Sequence, residues 1–569
     1  MKSQLTQSQT FSLTWLRYLI VVVLVLGVFF RFVNLDRKVY WHDEVYTSLR
    51  AAGFTRAEID RELFQNQMIA ARELQKFQRL KPGSTPADTI HSLAIEDPQH
   101  PPFYFLMARF WMKAFGSSIT ASRTLPALLS LLALPLMYGL GLELFASPLA
   151  ALLATVLLAV SPFDVLFAQT VRQYSLLTVM AIASSLFLLR ALRWQNWQNW
   201  VPYSFTSVVG LYTHPFFGLT LIAQGACVLL LNLPFSFSNL ETPRLEGWRQ
   251  QFNSFLKYLL AVAGALVLYS PWLIVLKTNF QRMSGTTNWA RDATDFLYLM
   301  KSWTLSFTSL FLDLDLGINS VWTYVLRLPI VVLGVVALYT ICRQTSRTTW
   351  LFILTSIFVP FLMLALPDVL FGGKRSAVTR YLISCYPGVQ LAVAYVLAHK
   401  LLLGQWLWRG VTALLVTGSI ASCTVSAFSD TWWSKGISYF NAEVASVIHR
   451  DGISPVHTKP PLVLSDIGDD FTNTGDLISL SYQLRDNVQL LLLSPSPNLE
   501  LLQSDSHLFA FRPSKRLYQA LEDKQIQLEQ VFQPGRLWRL QLKGGERSQT
   551  GQILRYSDIV PNSLRLTPF

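Results

Sequence analysis

Five short stretches of the chain carry residue types able to do chemistry beside apolar sequence. Trp41-His42-Asp43-Glu44 sets two carboxylates next to an imidazole, with Tyr46 two residues on. Gln99-His100-Pro101-Pro102-Phe103-Tyr104 holds a histidine ahead of two prolines. Asp164, Gln169, Arg172 and Tyr174 form a third group, Tyr212-Thr213-His214-Pro215 a fourth, and Lys374, Arg375, Arg380 and Tyr381 a fifth. A carboxylate can accept the proton of an attacking hydroxyl. Arginine and lysine suit an anion such as phosphate. Each stretch also has a plainer reading. Asp43 and Glu44 fit solvated loop acids, His100 fits a loop stiffened by proline, and Lys374–Arg380 fits ordinary headgroup contact.

The elements that must position these residues follow from composition. Of 569 residues, 51% are hydrophobic and 14% charged, against about 25% charged in a typical soluble domain. With 37 Phe, 20 Tyr and 17 Trp and a mean hydropathy of +0.35, disorder and a purely soluble fold are both excluded. The net charge of +13 is dispersed and forms no basic stripe, so no nucleic-acid partner is expected. Cys227, Cys342, Cys385 and Cys423 lie in apolar stretches without metal spacing and read as packing residues.

The first apolar run, Tyr18 to Phe30, is too short for about 30 Å of hydrocarbon. It predicts a span over Leu13–Val33 with Arg17 and Arg31 snorkelling to the interfaces. Further spans are expected near 121–145, 149–163, 173–192, 200–213, 215–233, 257–276, 321–342, 350–367, 381–400 and 410–428, about eleven in all. The expected fold class is an α-helical polytopic membrane protein with a C-terminal extracytoplasmic α/β domain. Placing the amino terminus inside puts Arg190, Arg193, Arg244, Arg249, Lys257, Arg343, Arg347, Lys400 and Arg409 at cytoplasmic ends, as the positive-inside rule requires. That predicts a multi-pass protein of the plasma (inner) membrane, divided into a transmembrane unit, 1–430, and a soluble unit, 431–569. The first outer loop, 34–101, contains a helical pattern from Thr55 to Leu80 that reads as an amphipathic helix on the membrane surface. In the C-terminal unit, Leu462–Ser465, Val488–Ser494, His507–Phe511 and Leu537–Leu542 read as strands and Lys515–Phe532 as a helix, suggesting a parallel sheet. Asp466, Asp469 and Asp470 read there as a solvated loop.

This topology brings all five stretches to the outer membrane surface. The Lys374–Arg380 group stands on the side where the positive-inside rule does not predict it, which favours anion binding. A carboxylate pair and several cations at that depth suit a sugar linked through phosphate to a long lipid. The cations would stabilise the departing lipid phosphate, and a carboxylate would serve the attacking hydroxyl. The rival reading is a non-catalytic transporter or binding protein for lipid-linked sugars, which would place charges along a path through the bilayer. The spans hold almost none.

The same residues resemble a known family, the polytopic glycosyltransferases that use polyprenyl-phosphate sugars (GT-C fold, family 39-like; the protein mannosyltransferase and aminoarabinose transferase superfamily). The resemblance is carried by Trp41-His42-Asp43-Glu44, by Gln99–Tyr104 with Arg109, and by Ser161-Pro162-Phe163 with Ala168–Ser175. Leu211-Tyr212-Thr213-His214 and Arg380-Tyr381 extend it, and it covers roughly 10–430. It implies an inverting transferase in which Asp43 is catalytic, as general base or metal ligand, supported by Glu44. Some members involve a divalent metal ion, which Asp43 and Glu44 would hold. Donor phosphate would be bound by His100, Arg172, Lys374, Arg375 and Arg380, with Tyr46, Tyr104, Gln169, Tyr174, His214 and Tyr381 lining the cavity. The expected partners are a polyprenyl-phosphate sugar, membrane lipids and an extracytoplasmic acceptor. Two positions depart from the family pattern. Thr170 stands where relatives often carry Glu, and Tyr46 where aminoarabinose transferases carry Arg, which argues against that sugar.

Overall fold

A computed structural model of the chain describes residues 18–233, 245–451, 460–502 and 507–542. Residues 13–17 of the expected first span, and Arg244, lie outside them. Among the described residues, seven helices are long and apolar enough to cross a membrane, or eight when a bent pair is taken as one. Two shorter apolar helices, Tyr18–Phe32 and Phe217–Asn232, join them. The expected span near 200–213 is a helix, Trp197–Thr213, but not one of these candidates.

The bent pair, Pro148–Ala159 and Pro162–Ala168, turns by 55°. Pro162 has no N–H to continue the first helix, and the Ser161 hydroxyl caps the second by accepting from Asp164 N. The break leaves carbonyls at the end of the first helix without intrahelical partners. Arg31 meets this need. It donates to the carbonyls of Leu158, Ala159 and Gly27 and to Ser130 Oγ. At 1% exposure it is a buried clamp between helices, not a residue snorkelling to the interface. Gly27 makes the crossing possible, since a Cβ there would stand 2.6 Å from the Ala159 carbonyl oxygen.

The stretch from Thr55 to Leu80 is not one amphipathic helix on the membrane. It forms a helix Arg56–Leu63 with a Thr55/Glu58 capping box, a strand β1 (Gln67–Ala70) and a 3₁₀ turn Ala71–Gln78. Asn66, at φ 56°, redirects the chain between helix and strand. Ile59, Leu63, Phe64, Leu74 and Phe77 are buried against Val463, Leu477, Leu490 and Phe509 of the C-terminal region. The apolar face seen in the sequence therefore packs on protein instead of lipid.

The sheet order is β1-β3-β2-β4-β6-β5, with β2 (Leu462–Ser465), β3 (Gln489–Leu492), β4 (Leu508–Phe511), β5 (Gln527–Phe532) and β6 (Leu537–Gln541). Only β3-β2-β4 are parallel; β1, β6 and β5 pair antiparallel. The expected helix Lys515–Phe532 ends at Asp523, and Gln525, at φ 61°, turns the chain into β5. Because β1 comes from loop 34–101 and runs in register from Gln67↔Leu492 to Ala70↔Gln489, the boundary at 430 separates sequence but not space. Loop 34–101 and the C-terminal segment build one layer around a single sheet and a shared core, termed the outer layer below.

Candidate functional site

Asp43 and Glu44 open the helix His42–Ala52, where the helix dipole favours negative charge. The helix stops at Gly53, whose φ of 91° places it in the left-handed region. The two carboxylates meet opposite surroundings. Glu44 is wholly buried and fully hydrogen-bonded. Its Oε1 accepts from Arg123 Nε and Val171 N, both at 2.9 Å. Its Oε2 accepts from Arg123 Nη2 and Lys435 Nζ, both at 2.8 Å, and from Trp41 N at 3.1 Å. Burial alone would raise its pKa, yet Arg123 and Lys435 hold it down at about 2. Glu44 thus knots the helix His42–Ala52 to a membrane helix, to loop 169–173 and to the segment after helix Trp406–Phe428. It has no oxygen left for a substrate.

Asp43 stands where that knot delivers it, 16% exposed. His42 Nε2 lies 3.0 Å from its Oδ1 and Arg380 Nη2 lies 3.8 Å from its Oδ2. Burial pushes its pKa up, but His42, Arg172 and Arg380 outweigh burial and leave the carboxyl far below the usual range. It is ionised throughout the physiological range. Arg172 follows Val171, whose N–H is fixed by Glu44. Its Nη1 donates to Thr47 Oγ1 at 3.1 Å, and its Nη2 is 2.9 Å from His100 Nε2. An arginine cannot accept, so Nε2 of His100 is the acceptor and its Nδ1, 3.2 Å from Asp97 Oδ1, carries the proton. Arg380 lies over the Trp41 ring at 5.0 Å and the Tyr381 ring at 5.6 Å. Around this carboxylate, the Nε1 of Trp41 and the Nε atoms of Arg172 and Arg380 are buried N–H donors without a protein partner. Buried unmet donors are costly, and several on residues around one point describe a place for an anion.

Tyr174 and His214 complete the wall. Their rings are 6.1 Å apart, His214 is 6.3 Å from His100, and Arg172 lies 5.7 Å over Tyr174. His214 Nδ1 accepts from Phe216 N. Burial, with His100, Arg172 and Arg380 nearby, lowers its pKa well below the usual value and keeps it neutral. Tyr381 joins through Phe216, ring to ring at 4.6 Å.

Asp43, His100, Arg172, Tyr174, His214, Arg380 and Tyr381 therefore come together. Six other sequence candidates have different places. Glu44 lies behind the site, as described. The Tyr46 hydroxyl donates to the Phe471 carbonyl of the outer layer, and its ring fills the space a Cβ on Gly475 would need. Tyr104 is wholly buried among Ala51, Met112 and Leu125. Gln169 ties off the first helix by donating to the carbonyls of Phe30 and Val33 at 2.8 Å. Lys374 pairs with Asp292 at 3.1 Å, and Arg375 lies 3.5 Å from Asp368. Trp41 and His42 entered the sequence reading only as part of the acidic motif, and Arg123 and Lys435 not at all. Arg123, the one charged residue of the helix Ile119–Leu131, carried the clearest signal.

The same geometry tests the expected divalent ion. Asp43 faces two guanidinium groups, both Glu44 oxygens are taken, and the described residues hold no group of three or more His, Cys, Asp or Glu suited to a metal. The donor set does not fit an ion shared by this pair.

Behind the site, Lys38 is 2% exposed, with one hydrogen bond, at 3.5 Å to Gln169 Oε1. Burial, then Lys435, Arg123 and Arg37, lower its pKa to about 7. The unfolded chain binds this proton more readily, so the site weakens the fold as pH falls from the ordinary lysine range towards 7. Lys38→Met is expected to raise the thermal unfolding midpoint in detergent at pH 7, with the gain shrinking towards pH 10. A midpoint below wild type at pH 7 would contradict this account.

A sequence model of the dolichyl-phosphate-mannose-protein mannosyltransferase family matches residues 99–275, a stretch that includes His100, Arg172, Tyr174 and His214. No curated protein sequence matches the chain significantly. Among solved structures, apo ArnT from Cupriavidus metallidurans superposes with a TM-score of 0.51 at 13% identity, over 93% of this chain and 98% of that one. The same protein bound to undecaprenyl phosphate gives 0.48 at 14% identity, with the same coverage. An Archaeoglobus fulgidus oligosaccharyltransferase tethered to an acceptor peptide gives 0.43 at 13%, over 84% of this chain and 64% of that one. The chain shares its overall fold with apo ArnT, and the family model matches residues 99–275, inside the stretch that carried the resemblance read from the motifs.

Proposed function

We propose that the chain transfers a sugar from a polyprenyl monophosphate to an acceptor on the extracytoplasmic side, with inversion at the anomeric carbon. The observation that carries this reading is the set of buried, unmatched N–H donors on Trp41, Arg172 and Arg380 surrounding the ionised Asp43. A phosphate matches those donors, and an acceptor hydroxyl matches the carboxylate. The acceptor oxygen forms the new bond to the anomeric carbon as the carbon–phosphate oxygen bond breaks. The departing electron pair stays on the lipid phosphate, which Arg172 and Arg380 stabilise. The acceptor proton passes to Asp43. His100 keeps Arg172 in place through its Nε2 and is itself held by Asp97.

The test is donor turnover in proteoliposomes, using radiolabelled polyprenyl-phosphate sugars and an envelope extract as the acceptor source. Release of polyprenyl phosphate by the wild type supports the reading; binding of the lipid without release overturns it and favours a carrier. Arg172→Gln and Arg380→Gln are expected to slow release by about 10²-fold each, on the scale of losing one donor to a developing anion. Both should also weaken binding of undecaprenyl phosphate measured without any sugar. Unchanged binding in both variants would remove the phosphate from this spot.

A further inference from the structure

The segment after the last span, Trp432–Asn441, joins three parts of the protein. The indoles of Trp432 and Trp433 both donate to Asp313 Oδ2 at 2.8 Å, fixing the segment to the loop that follows helix Phe296–Thr308. Lys435 reaches Glu44. Ser438 makes the contact whose consequence is largest. Its Oγ accepts from His42 N at 3.0 Å and donates to Asp476 Oδ1 at 2.8 Å. Asp476, 2% exposed, also accepts from Asn441 Nδ2 at 2.9 Å and from Arg512 Nη1 at 2.8 Å. Arg512 directly follows β4 of the outer sheet.

The first N–H groups of a helix have no partner within it. Here the N-cap residue is Trp41, which gives no side-chain cap bond. The hydroxyl that caps His42 N comes instead from a residue 396 positions away. A serine hydroxyl has one proton, and Asp476 takes it, so the lone pairs are left for His42 N. The residue after His42 is Asp43.

We propose that Ser438 is a positioning residue for Asp43. It caps the helix that carries the carboxylate, and through Asp476 and Arg512 it makes the outer layer part of the reaction centre. This rests on the reading of Asp43 as the group that serves the acceptor. The effect falls on turnover and not on donor affinity, because the phosphate is held by Arg172 and Arg380, which Ser438 does not touch.

Ser438→Ala tests this. It removes one hydroxyl from a buried position and leaves the Asp313 and Lys435 contacts in place. In the proteoliposome assay kcat is expected to fall about tenfold, the order of a lost helix cap expressed in rate, with KM for the lipid-linked sugar unchanged. Hydrogen exchange of the peptide spanning residues 41–47 should speed up. In an Asp43→Asn background the substitution should cost nothing more, since it acts through Asp43. Wild-type kcat in Ser438→Ala, or a full further loss added to Asp43→Asn, would overturn the proposal. If Asp43→Asn is itself fully active, the reading of Asp43 fails, and the exchange measurement still decides whether Ser438 caps the helix.

Discussion

Asp43→Asn is expected to abolish sugar transfer, lowering kcat by about 10³-fold, within the range lost with a general base. The protein should stay folded and membrane-inserted. Asparagine keeps the shape and the partial exposure of the site, and Asp43, unlike Glu44, has no arginine hydrogen-bonded to its carboxylate. Its nearest guanidinium nitrogen is 3.8 Å away. Undecaprenyl phosphate binding should survive or tighten, because a negative charge beside the phosphate site has been removed. That combination, dead turnover with intact binding, separates a proton acceptor from a phosphate ligand. A fully active Asp43→Asn protein would end the mechanism.

The depressed pKa adds a constraint on pH. A carboxyl held far below its ordinary range by His42, Arg172 and Arg380 stays ionised when the medium is acidified through pH 4. Asp43 therefore contributes no acid limb to the rate profile above that point. It is also a weak base in the ground state. Proton transfer to it becomes favourable only once the acceptor oxygen has bonded to the anomeric carbon and turned strongly acidic. In the proposed mechanism the carboxylate until then orients the hydroxyl and offsets positive charge building on the sugar. Phosphate departing from the donor then drives the step, which agrees with an arrangement richer in cations than in acids.

What the sequence showed of this site follows from what each signal depends on. Asp43, Arg172 and Arg380 were legible because charged residues beside spans are expensive and must have a use. Most of the spans were legible as continuous apolar runs: among the described residues, seven or eight helices are long and apolar enough to cross, against about eleven expected. Glu44 was misleading. Adjacent to Asp43 it reads as half of a pair, but consecutive helix residues point about 100° apart, and one faces the site while the other faces Arg123. Tyr46, Tyr104 and Gln169 fail alike: proximity in sequence to a reactive residue says nothing of side-chain direction. Lys435 and Ser438 were invisible, since their partners lie nearly 400 positions away. The outer sheet was half-read. Periodicity found the strands, but nothing local shows that residues 67–70 supply one of them, because β pairing between distant segments is set by tertiary packing.

Glu44→Ala is the second substitution expected to have a large effect, and of a different kind. Removing this carboxylate leaves Arg123 at 1% and Lys435 at 2% exposure without their counter-charge, and the Val171 and Trp41 N–H groups without acceptors. Breaking a buried ion pair from one side costs about 3–5 kcal/mol, enough to remove much of a domain's stability. The thermal midpoint should drop sharply and the detergent-purified yield with it. The penalty comes from stranded cations, so removing a cation as well should return part of it: Glu44→Ala with Lys435→Met is expected to unfold at a higher temperature than Glu44→Ala alone. Neither protein should transfer sugar, because loop 169–173 has lost the bond that sets Arg172. The outcome also decides which carboxylate reacts. If Glu44→Ala were as stable as wild type yet inactive, Glu44 would be a reacting group and the hydrogen bonds around it incidental. Loss of stability together with activity, and its partial return on removing Lys435, identifies the group as the keystone that holds Asp43 and Arg172 at a common point.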